Sequence, residues 1–383
     1  MTSTVQFRLL VALPAVASLA AGLLSGLARM GLPMPTVFTN LSGVHGALMI
    51  GGFFGTVIGL ERAIAAGGAW AFSAPVLSGA ASVALLMGAP LQLAQTLLVL
   101  SSVVMAAYCA GIWRKERVSH HALLLCAALA WLAGNIIWWR EHSVVAATPL
   151  WAAFLVLTIA AERLELSRVL PTTRTGRQCL AVISLAMLGG ALLVVWNARA
   201  GLTLFAASLA ALAIWLLRND VARHTLRREG LTRYMAICLL SGFVWLGVAG
   251  LLGLNGAFLP GSALRDAALH SLLLGFVFSM VFGHAPIILP LVSRLRFHWH
   301  VGLYVPLLVL HAGLGTRIAG ALLEDFALRQ QAAIANALTL ALFFMLAASS
   351  LRPRMRLTSE GSSRPSIAPP RHADQRTLVH PRN

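Results

Sequence analysis

Residues 266–290 read DAALHSLLLGFVFSMVFGHAPIILP. The run is apolar enough, and long enough, to cross a hydrocarbon core of about 30 Å as a helix. It carries a histidine near each end, His270 and His284. Their separation corresponds to roughly 21 Å of helix, and they fall within about 40° of one face. They are too far apart to share one metal ion, so each needs its own partner. Ionisable groups at membrane depth are costly and point first to function.

The rest of the chain agrees with this stretch. Its 383 residues are 58% hydrophobic and 11% charged, with a mean hydropathy of +0.82. A soluble domain of this size has too little interior for that much apolar surface. The fold class expected is therefore all-α, a polytopic integral membrane protein. Apolar windows place twelve transmembrane helices near 9–28, 41–60, 70–88, 91–112, 121–138, 143–161, 178–196, 200–217, 232–253, 267–285, 301–320 and 330–350. Gly88-Ala89-Pro90 reads as a tight turn between the third and fourth. The first resembles a signal peptide but is followed by further spans, so it reads as an uncleaved helix.

The net charge of +17 comes from arginines in short loops and at the C-terminus, which excludes a nucleic-acid reading. Sixteen basic residues fall at the N-terminus and in alternate loops, against six in the opposite loops. The positive-inside rule then puts both termini in the cytoplasm. Residues 1–351 form the expected transmembrane domain, and 352–383 a disordered, basic cytoplasmic tail rich in Ser, Pro and Arg. The cysteines, Cys109, Cys126, Cys179 and Cys238, have no metal or disulfide spacing. There is no P-loop, nucleotide fingerprint, covalent-haem motif or hydrolase elbow.

The histidines carry the functional reading. His45 and His270 sit about one turn below the outer surface, on helices that run the same way, with His311 somewhat deeper on the next span. Each histidine alone is most simply a helix-to-helix hydrogen bond. The pair is different, because glycines follow both: Gly46, Gly51, Gly52, Gly55 and Gly59 in the second span, and Gly275 and Gly283 in the tenth. Small residues let helices pack closely, and equally leave room for a flat macrocycle with imidazoles as axial ligands. Asp266, four residues before His270, is placed to orient its imidazole, or else to pair with Arg265 or Arg317. His300, Tyr304 and His311 share a face that reads as a proton or ligand path or as a packed seam. On the inner side His284, His298 and His300 are a candidate metal site, with Pro286 and Pro290 breaking the helix after His284. Glu61-Arg62 reads as a snorkelling surface pair. His45-Gly-Ala-Leu-Met-Ile-Gly-Gly-Phe-Phe-Gly also echoes His270-Ser-Leu-Leu-Leu-Gly-Phe-Val-Phe, either as a parallel repeat or as a chance likeness of glycine-rich helices.

Twelve spans with both termini inside and outer-half histidines on spans two and ten resemble the subunit I plan of the haem-copper oxidases. The wording Gly43-Val-His-Gly-Ala-Leu-Met-Ile-Gly-Gly-Phe-Phe-Gly-Thr, with Leu60-Glu-Arg-Ala and Ala268-Leu-His-Ser-Leu-Leu-Leu-Gly, is similar to the NnrS-type haem-copper membrane proteins. The resemblance implies non-covalent haem b on His45 and His270, with His311 as a nearby third ligand, and a copper site. It further implies a multi-pass protein of the bacterial inner membrane, partnered by an electron donor or a small gas such as nitric oxide. The sequence departs from the oxidases: span six has no histidine, span seven no His-His pair, and span ten no second ligand beside His270. A redox protein without a complete binuclear centre is the expectation. The competing expectations are a transporter of a metal ion or small solute with histidines along its path, and a structural or assembly protein whose histidines join helices.

Overall fold

With no water in a bilayer core, every backbone N–H and C=O must find its partner inside the chain, and a helix does this locally. The computed structural model describes residues 3–166 and 173–353. Among them it has twelve helices long and apolar enough to span a membrane. They are α1 (Thr4–Arg29), α2 (Ala47–Ala66), α3 (Ala69–Leu86), α4 (Leu91–Lys115), α5 (Ser119–Glu141), α6 (Val144–Leu166), α7 (Arg174–Leu193), α8 (Ala198–Asn219), α9 (Gly230–Leu254), α10 (Arg265–Ser293), α11 (Val301–Leu322) and α12 (Phe326–Ser349). The chain is an all-α, multi-pass membrane protein.

Short connections make sequential helices antiparallel neighbours. Gly88 adopts φ +70°, and Ala89 N–H bonds the carbonyl of Ala84, so the α3–α4 turn closes in three residues as its sequence predicts. The first helix is part of the bundle, packing on α2, α3, α10 and α12. A two-residue antiparallel pair, Arg296–Phe297 with Leu351–Arg352, ties the α10–α11 loop to the end of α12. Arg352 therefore belongs to the folded unit, and the expected tail from 354 onward lies outside the described residues.

The centre is made of α2, α6 and α10. In their most apolar stretches 72%, 78% and 67% of residues are buried, against 56% or less in every other span. These are every fourth helix in the chain. Phe53 of α2 stacks on Phe278 of α10 with centroids 6.0 Å apart, and Phe54 meets the same ring edge-on at 5.3 Å. Arg62 of α2 bonds Glu162 of α6.

Two features differ from expectation. The helix does not break at Pro286 or Pro290; α10 continues to Ser293 and stops where Arg294 turns left-handed at φ 59°. Proline removes one helical hydrogen bond, which neighbouring helices in a bundle tolerate. Also, α2 opens with an eight-residue π-helical segment, Ala47–Phe54, and α10 contains another, Ser271–Phe278, just after His270. Such wide turns are rare and concentrate at functional sites. Each begins within two residues of its histidine, so the weak echo between the two spans has a structural counterpart.

Candidate functional site

At one end of the bundle, α1, α2, α10 and α11 bring together His45, His270, Asp266 and Arg317. His45 lies in the turn leading into α2. Its Nδ1 is 2.6 Å from the carbonyl oxygen of Gly22 in α1. A carbonyl only accepts, so Nδ1 carries the proton and Nε2 keeps its lone pair. The imidazole rests on Gly26, where a Cβ would stand 2.8 Å from His45 Cε1. That glycine is the seat of the ring.

His270 repeats the arrangement. Its Nδ1 donates to the carbonyl of Asp266 at 2.8 Å and faces the Asp266 carboxylate at 3.1 Å. Arg317 grips that carboxylate with two bonds, Nε to Oδ2 at 2.6 Å and Nη2 to Oδ1 at 3.2 Å. The guanidinium is only 5% exposed, so it has no ready alternative partner in water. Asp266 thus serves both roles read from the sequence: it orients His270 and pairs with Arg317. Arg265 instead donates to the carbonyl of Phe258. His45 and His270 lie within electrostatic reach of each other and of Arg317.

His311 does not join them. Trp245 Nε1–H donates to its Nδ1 at 2.8 Å, and its Nε2 meets Ser241 Oγ at 3.0 Å. An indole only donates, so Nδ1 is the acceptor, Nε2 carries the proton, and no lone pair is left for a metal. Tyr304, on the same face, packs edge-on against Tyr234 with centroids 5.2 Å apart. The stripe on α11 is therefore a seam against α9.

The glycines of the two central helices are filled by neighbours. A Cβ at Gly51 would stand 2.6 Å from Leu98, at Gly52 2.0 Å from Ser18, at Gly55 2.7 Å from Trp131 and at Gly275 2.6 Å from Trp245. They serve close helix packing, so any planar group must sit at the partly exposed end by the histidines and not beside the π segments.

The opposite end holds His284, whose Nδ1 donates to the Met280 carbonyl at 2.7 Å. His298 is exposed, with its backbone N–H on the Ser350 carbonyl, and His300 caps the short turn before α11. Among the described residues no group of three or more His, Cys, Asp or Glu side chains is placed to hold a metal ion. The structure does not gather His284, His298 and His300 into one. Of the side chains that do converge at this end, the sequence reading singles out only Glu61 and Arg62, as a surface pair. Arg62 bonds Glu162 and lies 3.5 Å from Glu61, and Arg163 lies 3.6 Å from Asp220 with both nearly buried. Glu61-Arg62 is an interhelical junction, not a surface pair, because its end of α2 faces α6 and not lipid. A signal was present: α2 and α6 carry the same Glu-Arg dipeptide near the same end, as Glu61-Arg62 and Glu162-Arg163.

No curated protein matches the sequence. One family model does, over residues 8–352, which is the whole helical bundle, and the chain belongs to that family, described as a domain of unknown function (DUF8744).

Proposed function

We propose that this protein holds haem b between His45 and His270 and serves electron transfer in the bacterial inner membrane. The observation that carries the reading is the matched state of the two imidazoles: each has its Nδ1 proton tied to a carbonyl oxygen, which leaves Nε2 as the unprotonated nitrogen. Two donors are too few for a bare zinc ion, which takes three or four protein ligands. They suffice for a metal that brings its own equatorial plane, as haem iron does. When bound, the group would supply one-electron redox chemistry, and ligation by two imidazoles suits electron transfer better than gas binding. Nitric-oxide handling rests on the resemblance to the NnrS-type proteins alone. The chain's own part is orientation: Gly22 and Gly26 fix the His45 ring, and the Arg317–Asp266 pair fixes that of His270. Ligand partners of this kind raise basicity and hold the ring plane.

The test is a reduced-minus-oxidised absorption spectrum of the full chain purified from haem-sufficient cells. A b-type spectrum in the wild type that is lost in His45→Ala and in His270→Ala, and kept in His311→Ala, is expected. A colourless wild type overturns the reading. A solute carrier is the second reading, favoured by one observation: an open cavity at the Arg62 end of the bundle.

A further inference from the structure

Between α2, α4, α5 and α6, at the Arg62 end, lies a cavity of about 480 Å³. That is within the range of small-molecule sites, roughly 300–1,000 Å³. Its walls divide by chemistry. Trp70, Ile112 and Leu124 make an apolar side, with Tyr108 packed edge-on to Trp70 at 6.0 Å. The polar side carries charges of both signs. Arg62 is held through Nη2 by Glu162 and Glu61, so it is a fixed part of the wall. Three more charged side chains line the cavity: Glu165 and Lys115 make no ion pair among the described residues, though Glu165 lies within the field of Arg62, and Glu116, mostly exposed, lies 3.9 Å from His121.

We propose that this cavity binds a small zwitterion, an amino acid with an apolar side chain or the equivalent ammonium-and-acid headgroup of an aminophospholipid. The ammonium meets the carboxylate of Glu165, the acid group meets Lys115, and the apolar part lies on Trp70 and Leu124. A simple anion faces a wall that already contains Glu162 and Glu165. A simple cation must share the site with Arg62 and Lys115. A ligand carrying both charges meets Glu165 and Lys115 together. This inference does not rest on the haem reading, since the two sites are at opposite ends of the bundle and report through different signals.

The experiment is equilibrium binding to the full chain in phosphatidylcholine nanodiscs, with l-phenylalanine as probe and two single-charge analogues, phenethylamine and 3-phenylpropionate. Saturable binding of l-phenylalanine is expected, with each analogue weaker by about tenfold or more, because each leaves one charged hydrogen bond unmade. Glu165→Gln and Lys115→Ala should each weaken l-phenylalanine by a similar factor while leaving the absorption spectrum unchanged. Competition by phosphatidylethanolamine in the disc assigns the site to a lipid headgroup, and its absence to a free amino acid. No saturable binding of l-phenylalanine in either lipid overturns the proposal. Equal affinity for either analogue on the wild type does the same, and needs no variant to fold.

Discussion

At the scale of single residues, the histidines differ not in type but in which ring nitrogen is spoken for. His45 and His270 give away the Nδ1 proton and keep the Nε2 lone pair, whereas His311 spends both nitrogens on Trp245 and Ser241. No spacing rule separates these cases, because the deciding partners sit on other helices 23 to 70 positions away, apart from the local Asp266. The sequence reading groups His311 with His45 and His270, and the commitment of both its ring nitrogens to α9 is not legible there. Gly26 makes the arrangement testable without touching a ligand. In Gly26→Ala the new methyl stands 2.8 Å from His45 Cε1, closer than real Cβ contacts allow, and the imidazole must move. If His45 is an axial ligand, this variant should elute from size-exclusion as the wild type does and yet lose or shift the b-type spectrum. An unchanged spectrum would mean that the seat of His45 has no bearing on haem.

At the scale of helices, the sequence told where the spans are and not which of them meet. Lipid-facing and protein-facing surfaces are both apolar in a membrane, so hydropathy marks crossing and is blind to burial. The most buried span, α6, is no more apolar than the peripheral α8 and α9. The π segments were equally hidden: glycine and phenylalanine runs fit ordinary and wide helical turns alike. What did carry information about the centre was charge. Glu-Arg pairs near the same end of α2 and α6 have to be answered by each other, and they are, through Arg62 and Glu162. Arg62→Leu alone leaves Glu61, Glu162 and Glu165 around the junction without their cation. Its expected cost is about 1–3 kcal/mol of stability, below that of a fully buried pair because both side chains also face the open cavity. Arg62→Leu combined with Glu162→Gln removes one of the stranded carboxylates and should recover a measurable part of that loss. Thermal unfolding in detergent reads both. Equal loss in the single and double variants would show that the pair is solvated and contributes little.

For the molecule as a whole, the two ends have different chemistry, and the loop arginines say which end faces which compartment. The end with Arg62, Lys115 and Arg174 collects most of the basic loop residues, while Arg29, Arg140 and Arg199 lie at the His45 end. Because the spans alternate, one assignment fixes all of them, and the positive-inside rule predicts that the histidine pair opens outward and the mixed-charge cavity inward. That order would suit the proposed haem exchanging electrons at the outer face and the proposed solute site in contact with the cytoplasm. Substituted cysteines decide it. Cys179, the exposed native thiol near the start of α7, is first replaced by alanine to clear the background. Arg117→Cys in the α4–α5 loop should then be protected from a membrane-impermeant maleimide in intact spheroplasts and react only after permeabilisation. Asn197→Cys in the α7–α8 loop should react in both. The reverse pattern would turn the bundle over, placing the histidines on the cytoplasmic side and the cavity outside. The haem reading would survive that result, but its electron donor would have to be a cytoplasmic one.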